Sequence, residues 1–185
     1  MARKSLHIMM GVAAVMIAAG LLAPVSGAWA QATESRMSGL ALSGDEPIQI
    51  ESDLLKIDEE TSKATFTGNV KVVQGDTVLQ AGRMIVNYTK DGGSVSSGSA
   101  DISEIELYEK VLIRSGTQTA TADAGNFNMA NEILILTGEK VVLTDADNVF
   151  IGCKLTVQMK NGQAKLDSCG GRVMIQLDPK SRPKK

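Results

Sequence analysis

The chain has 185 residues, a formal net charge of −2 and 3% aromatic residues. This slightly acidic balance argues against a nucleic-acid partner, which needs a basic surface. The length suits one domain of ordinary size, with a core made mainly of aliphatic side chains.

The first thirty residues differ in character from the rest of the chain. Arg3 and Lys4 precede an apolar stretch over residues 6–25, and Ala-Trp-Ala at 28–30 forms a small-x-small cleavage site. This order is typical of a secretory signal peptide, although a membrane anchor is the competing interpretation. We predict that residues 1–30 are removed on export. Residues 31–46 are rich in Ser, Thr, Gly and acidic residues and are predicted to form a flexible leader.

From Pro47 onward, apolar and polar residues alternate with a period of two, as in strands with one buried face. The longest alternation runs from Val149 to Met159. Turn signals separate the strands: Gly-Asn at 68–69, Gly-Asp at 75–76, Asp-Gly-Gly at 91–93, Ser-Gly at 115–116 and Asn-Gly at 161–162. The pattern predicts an all-β protein built from short antiparallel strands.

The sequence also repeats itself. Residues 52–68 recur without a gap as residues 122–138, so that Asp53 corresponds to Asp123 and Gly68 to Gly138. A barrel, a sandwich and a repetitive roll open at both ends are all compatible with short antiparallel strands. The repeat favours the roll, which leaves an edge strand at each end that can pair with another chain.

We predict a single domain over residues 47–178. The weakly patterned segment 91–101 is expected to be a loop between two long repeats, and residues 179–185 a basic tail. The tail is either a mobile end or a contact with anionic lipid or an acidic partner.

Cys153 and Cys169 are candidates for a disulfide, since an exported chain meets an oxidising compartment. They flank a predicted hairpin at Asn161-Gly162. A turn centred on Asn161 sets them directly opposite each other, whereas a two-residue turn offsets them by one and points them to different faces. The alternative is that both are small buried apolar side chains.

Catalytic chemistry is poorly represented. The only histidine is His7, inside the predicted signal peptide. Histidine-dependent nucleophile systems and the usual zinc sites are therefore excluded from the exported chain. The acidic clusters at 58–60 and 145–147 lie beside predicted turns, where acidic residues are common for backbone reasons. We predict no enzyme activity, no cofactor and no metal site.

Five segments, taken in order, resemble the OstA-like family. They are PIQIESD at 47–53, ATFTGNV at 64–70, Gln-Gly at 74–75, LTG at 136–138 and GGRV at 170–173. The likeness covers residues 47–177. The resemblance implies a single-domain antiparallel β-jellyroll, V-shaped in section, with a hydrophobic interior groove that receives the acyl chains of lipopolysaccharide.

The resemblance also implies where the protein works and with which partners. It implies a periplasmic bridge that moves lipopolysaccharide from the inner to the outer membrane without catalysis. Edge strands would join copies into a head-to-tail homo-oligomer, and would contact the inner-membrane lipopolysaccharide-export complex and the outer-membrane translocon.

Alternation and the family's groove positions together nominate a set of inward residues for the acyl chains. The set is Ile48, Ile50, Phe66, Val86, Leu112, Phe127, Met129 and Leu136. Inward aliphatic residues are usually plain core, so a structural β-edge adaptor with a closed interior is the main alternative. A secreted enzyme with two facing carboxylates and a sister component of the same transport system are the others.

Overall fold

The structure, a computed structural model, describes residues 47–89 and 100–179. The predicted signal peptide, the leader, most of the loop at 91–101 and the tail beyond Pro179 lie outside the described residues. Within the described ranges the regular secondary structure consists of strands, and no helix there is long and apolar enough to cross a membrane.

Ten strands follow one another within these two described ranges. They are β1 (Gln49–Glu51), β2 (Leu54–Asp58), β3 (Lys63–Gln74), β4 (Thr77–Thr89), β5 (Asp101–Ser115), β6 (Gln118–Asn128), β7 (Ile133–Asp145), β8 (Asn148–Gln158), β9 (Gln163–Asp167) and β10 (Met174–Gln176). The interior strands β3 to β8 have 11 to 15 residues, longer than the sequence pattern predicts.

The strands form one antiparallel sheet in which sequence neighbours from β3 to β8 are also spatial neighbours. At one end, β1 and β2 both pair with β3. At the other end, β9 and β10 both pair with β8. The sheet is open, which confirms the predicted all-β fold with an edge at each end.

A line of irregular positions, here called the crease, crosses the middle of the sheet. The pairing register shifts there between each pair of interior strands, at Thr67/Val70, Gln80/Arg83, Tyr108/Val111, Thr121/Ala124 and Thr137/Val141. The predicted turn at Gly68-Asn69 is corrected by this finding, because both residues lie inside β3. Their positive φ angles, 80° and 47°, belong to a β-bulge, which uses the same residue types as a tight turn.

One face of the sheet is buried on the interior strands. Met84, Leu107, Leu136 and Leu155 on four different strands are at most 1% exposed. A flat sheet leaves both faces open to water, so this degree of burial requires the sheet to fold over and cover its own apolar face. Bulges bend strands and increase their twist, and the crease is therefore where the fold occurs.

The sequence repeat is also a repeat in the structure. At the crease, Asp53 lies beside Gly68 and Asp123 beside Gly138, so closely that a Cβ atom on either glycine would overlap the carboxylate. The Asn69 side-chain amide donates to Asp53, and the backbone N–H of Glu139 donates to Asp123, at 2.9 and 2.8 Å. Each copy thus uses an aspartate to hold a bulge on the neighbouring strand.

Candidate functional site: the inward face and the open edges

The predicted inward residues divide into two groups. Phe66, Val86, Phe127 and Leu136 lie in the buried cluster at the centre of the folded sheet, and Met129 packs against that cluster. Their exposed fractions run from 6% for the two phenylalanines to 0% for Leu136. The structure brings these side chains together as packed core.

Leu112 is corrected by the structure. It alternates with the buried Val111 and Ile113 on β5, and its register partner on β4 is the exposed Gln80. The same alternation holds on both sides of the bulge at Glu109 and Lys110, because Ile105 and Leu107 before it are buried like Val111 and Ile113 after it. Leu112 therefore lies on the outer face.

Ile48 and Ile50 lie at the first edge of the sheet and are 38% and 37% exposed. Ile50 pairs in register with the buried Val72 on β3, so it extends the inward apolar face. Leu55 on β2 extends the same face at the other side of the crease, opposite Phe66. The inward surface therefore continues to this edge and is uncovered there.

The opposite edge shows the same property, and the sequence reasoning missed it. Exposed apolar side chains cluster on and around β10: Val173, Met174, Ile175 and Leu177. Ile175 is the register partner of Phe150, which packs against the buried cluster. The alternation in VMIQL at 173–177 is a usable signal for a strand, but it is short and directly follows Gly170, Gly171 and Arg172.

Each edge is a strand broken at the crease. β1 and β2 pair with the two halves of β3, on either side of Ser52 and Asp53. β9 and β10 pair with the two halves of β8, on either side of residues 168–173. Such broken strands leave backbone donors and acceptors on their outer side for another strand to pair with.

A disulfide joins Cys153 to Cys169 at the second edge, with a Cα–Cα distance of 5.9 Å. The hairpin register pairs Lys154 with Asp167, so a continued ladder would place Ser168 opposite Cys153. The ladder ends at Asp167, however, and Cys169 adopts a positive φ of 48° that brings its sulfur to Cys153. The bond ties the break between β9 and β10 to the crease of β8.

The outer face of the interior strands carries a connected polar group. Glu106 accepts hydrogen bonds from the Tyr108 hydroxyl and from Asn87, the latter at 2.8 Å. These bonds, led by that of Tyr108, lower the pKa of the Glu106 carboxyl. Glu104 accepts from Asn126 at 2.7 Å, and Arg83 lies 4.6 Å from the centre of the Tyr108 ring.

The outer group contains two neighbouring carboxylates, Glu104 and Glu106, which can be compared with the carboxylate pair of a glycan hydrolase. The two carboxylates sit side by side on one strand, two residues apart, and are cross-linked by Asn87. Facing carboxylates across a sugar ring are the arrangement of glycan hydrolysis, and these two do not face each other. No group of three or more potential metal ligands occurs within residues 47–89 and 100–179.

Comparison with known proteins gives three findings. The profile of the family described as LptA/(LptD N-terminal domain) LPS transport protein matches residues 49–163. An uncharacterised protein of Rhizobium meliloti (strain 1021) is 58% identical over 173 residues, covering 92% of this chain and 93% of that protein. The lipopolysaccharide export system protein LptA of Escherichia coli (strain K12) is 45% identical over 49 residues, which is 26% of this chain and 25% of LptA.

A solved structure shares the fold. LptH of Pseudomonas aeruginosa is described as the LptA homologous periplasmic component of the lipopolysaccharide transport device. It superposes with a TM-score of 0.60 at 15% sequence identity, over 72% of this chain and 96% of that chain. At this identity the likeness concerns the arrangement of strands, and it agrees with the jellyroll expected from the sequence.

Proposed function

The chain belongs to the LptA/(LptD N-terminal domain) LPS transport protein family, and from this premise we propose that it is a periplasmic lipopolysaccharide-binding bridge protein. In this proposal residues 1–30 direct export, residues 47–178 form the working domain, and lipopolysaccharide passes from the inner to the outer membrane along the inward face. The observation that carries the proposal is an inward apolar face that runs between two open edges and is exposed at both.

The physical need for such a face follows from the cargo. Exposing an acyl chain to water costs about 0.8 kcal/mol of free energy for each methylene group. A chain that crosses an aqueous gap therefore needs continuous apolar cover. Ile50 and Leu55 supply that cover at one edge, and Ile175 supplies it at the other. Acyl chains enter at an edge and part the folded sheet as they advance.

The packed centre sets the energetic condition for this movement. Phe66 and Phe127 are buried in the empty protein, so an acyl chain has to replace side-chain contacts with its own. The exchange is close to neutral when both surfaces are apolar, because neither side gains or loses much contact with water. Net transport then depends on energy supplied elsewhere, and the protein itself needs no catalytic group.

Edge pairing would make the path continuous between copies. A β9/β10 edge placed against a β1/β2 edge adds backbone hydrogen bonds across the junction, in the manner of β-augmentation. It also brings Ile175 of one copy towards Ile50 of the next. We propose the same edges for the inner-membrane export complex and the outer-membrane translocon.

Site-specific photo-crosslinking tests the lipid path. A photoreactive residue at Ile50 or at Ile175, both inward at an edge, is expected to capture lipopolysaccharide. The matched control is Gln49, which neighbours Ile50 on the opposite face of β1. Equal capture at Ile50 and Gln49 contradicts an interior path.

A structural adaptor is the second candidate, and the closed centre favours it. If Leu136, fully buried, never leaves its packing, the edges would join partners while the interior carries no lipid. Native mass spectrometry after incubation with lipopolysaccharide separates the two candidates. A mass shift of one lipid supports transport, and an unshifted protein that still joins its partners supports the adaptor.

A further inference from the structure

Six polar residues form a single line across the inward face, here called the polar row. They occupy one register line through β3 to β8: Gln74, Thr77, Ser115, Gln118, Asp145 and Asn148. Each is the last or first residue of its strand, next to one of the two-residue turns at 75–76, 116–117 and 146–147. Six strands at a spacing of about 4.8 Å give the row a length on the order of 24 Å.

The row is part of the covered interior, unlike most polar residues beside tight turns. Gln74, Thr77, Ser115 and Gln118 are all between 4% and 9% exposed. Asp145 and Asn148 are half-buried, so the row becomes more accessible towards β8. The Thr77 hydroxyl donates to Ser115 at 3.0 Å, which links β4 to β5 within the row.

An apolar line runs parallel to the polar row, two residues further from the turns on each strand. It consists of Val72, Leu79, Ile113, Ala120, Leu143 and Phe150, which are again register partners in succession. The inward face is therefore amphipathic across its width, with a polar margin beside an apolar floor. Both lines extend in the direction that joins the two open edges.

Gln118 indicates that the row is incomplete in the free protein. Its side-chain oxygen is buried and has no hydrogen-bond partner. A buried amide oxygen without a donor is unfavourable by about 1–3 kcal/mol, and such groups are rare unless a ligand or water completes them. The unsatisfied atom lies in the middle of the row.

We propose that the polar row binds the hydroxyl-rich saccharide head of an amphiphile while its acyl chains lie on the adjacent apolar line. This proposal rests on the proposed function, and it adds which chemical group of the lipid is recognised and where. The missing partner of Gln118 is a donor, and a sugar hydroxyl both donates and accepts, so it suits an amide and a hydroxyl alike. An ionised phosphate supplies only acceptors and meets the carboxylate of Asp145 at the accessible end, so phosphate is disfavoured.

A matched pair of amphiphiles tests the proposal in the purified protein. Dodecyl maltoside and dodecylphosphocholine share a twelve-carbon tail, but only the maltoside head carries hydroxyl donors. Binding is measured by calorimetry below the concentration at which either forms micelles. We expect the protein to bind the maltoside more tightly, and Gln118→Leu to weaken maltoside binding roughly fivefold while changing phosphocholine binding less than twofold.

Two further variants make the result specific. Gln80→Leu makes the same substitution on the outer face of β4 and is expected to change neither affinity. Thr77→Val, nearly identical in shape, removes a hydroxyl of the row and is expected to weaken binding of the maltoside selectively. It also provides the test if Gln118→Leu does not fold.

The outcomes separate this proposal from the one on which it rests. If both amphiphiles bind alike and the variants leave their ratio unchanged, the polar row is a structural margin and only the saccharide proposal is overturned. If neither amphiphile binds, the saccharide proposal and the lipid path are both overturned.

Discussion

The interior strands and the edge strands differ in structure where they meet the crease. β3 to β8 cross it intact on bulges and bury residues such as Leu136 on the inward face. At both edges the strand breaks there instead, and side chains such as Leu54 and Leu177 are 61% and 64% exposed. Stability is therefore concentrated in the middle of the sheet, and the capacity to pair with other molecules at its ends.

The two edges also differ from each other. The first edge is held by its backbone ladder and by the hydrogen bond from Asn69 to Asp53. The second has in addition the covalent bond between Cys153 and Cys169. Broken edge strands fray readily, because each half makes few hydrogen bonds. The comparison implies that the second edge depends on its disulfide more than on its ladder.

The largest effect is expected from one substitution made in the two regions. Leu136→Ala leaves a cavity in the packed centre and should lower the free energy of unfolding by about 3–4 kcal/mol. Leu54→Ala, at an exposed outer position of β2, should lower it by about 0.5 kcal/mol or less. Urea denaturation followed by circular dichroism measures both. Similar losses of unfolding free energy for the two variants would contradict the conclusion that stability is concentrated in the middle of the sheet.

The next effect concerns the second edge. The disulfide closes a loop with a sequence separation of 16, so Cys169→Ser is expected to lower the free energy of unfolding by about 3 kcal/mol. Amide hydrogen exchange should accelerate in β10 and in its β8 partners 149–151, and stay unchanged in β1. Wild-type protein treated with a reductant is the control and should match the variant. If amide hydrogen exchange in β10 is unchanged, its backbone hydrogen bonds to β8 hold the strand in place without the disulfide.

The crease gives a prediction with an internal control. Gly68→Ala places a methyl group against the Asp53 carboxylate at a φ of +80°, and we expect a loss of about 2–3 kcal/mol. Gly116 also has a positive φ, +53°, but open space surrounds it. Gly116→Ala should therefore lower stability by only about 1 kcal/mol, from the backbone alone. Thermal unfolding of both variants measures the difference, and equal losses would show that the contact with Asp53 is unimportant.

Much of this architecture could be predicted from local sequence signals. Alternation identified the strands, and the match of Asp53-Gly68 with Asp123-Gly138 identified the repeat, because both are properties of residues close together in the chain. The positions of the bulges could not be predicted from the same local signals. Glycine and asparagine at positive φ serve turns and bulges equally, so Gly68-Asn69 read as the end of a strand that in fact continues.

The inward site was harder to predict than the fold. A bulge can exchange the two faces of a strand, as on β4, where Ala81 and Met84 are both buried. On β5 the inward positions stay in step, with Leu107 and Val111 both buried, so Leu112 was placed against the alternation of its own strand. The polar row was not predicted either, since its members come from six strands and meet only through register. Pairing across strands is a non-local property that a period-two pattern does not contain.

The smallest effect lies on the outer face of the interior strands. The Tyr108 hydroxyl is the leading cause of the lowered pKa of Glu106, whose ordinary value is 4.5. A carboxyl with a lowered folded pKa stabilises the protein above its unfolded pKa, and this stabilisation is lost as the pH falls through the folded pKa. Tyr108→Phe should therefore reduce stability near pH 7 more than near pH 3. The difference is expected to be under about 1 kcal/mol, because the half-buried carboxyl is screened by water.

Glu106→Gln supplies the control for this last prediction, since it removes the titrating group and keeps a similar shape. In that background Tyr108→Phe should change stability by the same amount at both pH values. A pH-dependent change that persists without the Glu106 carboxylate would assign the effect to another group.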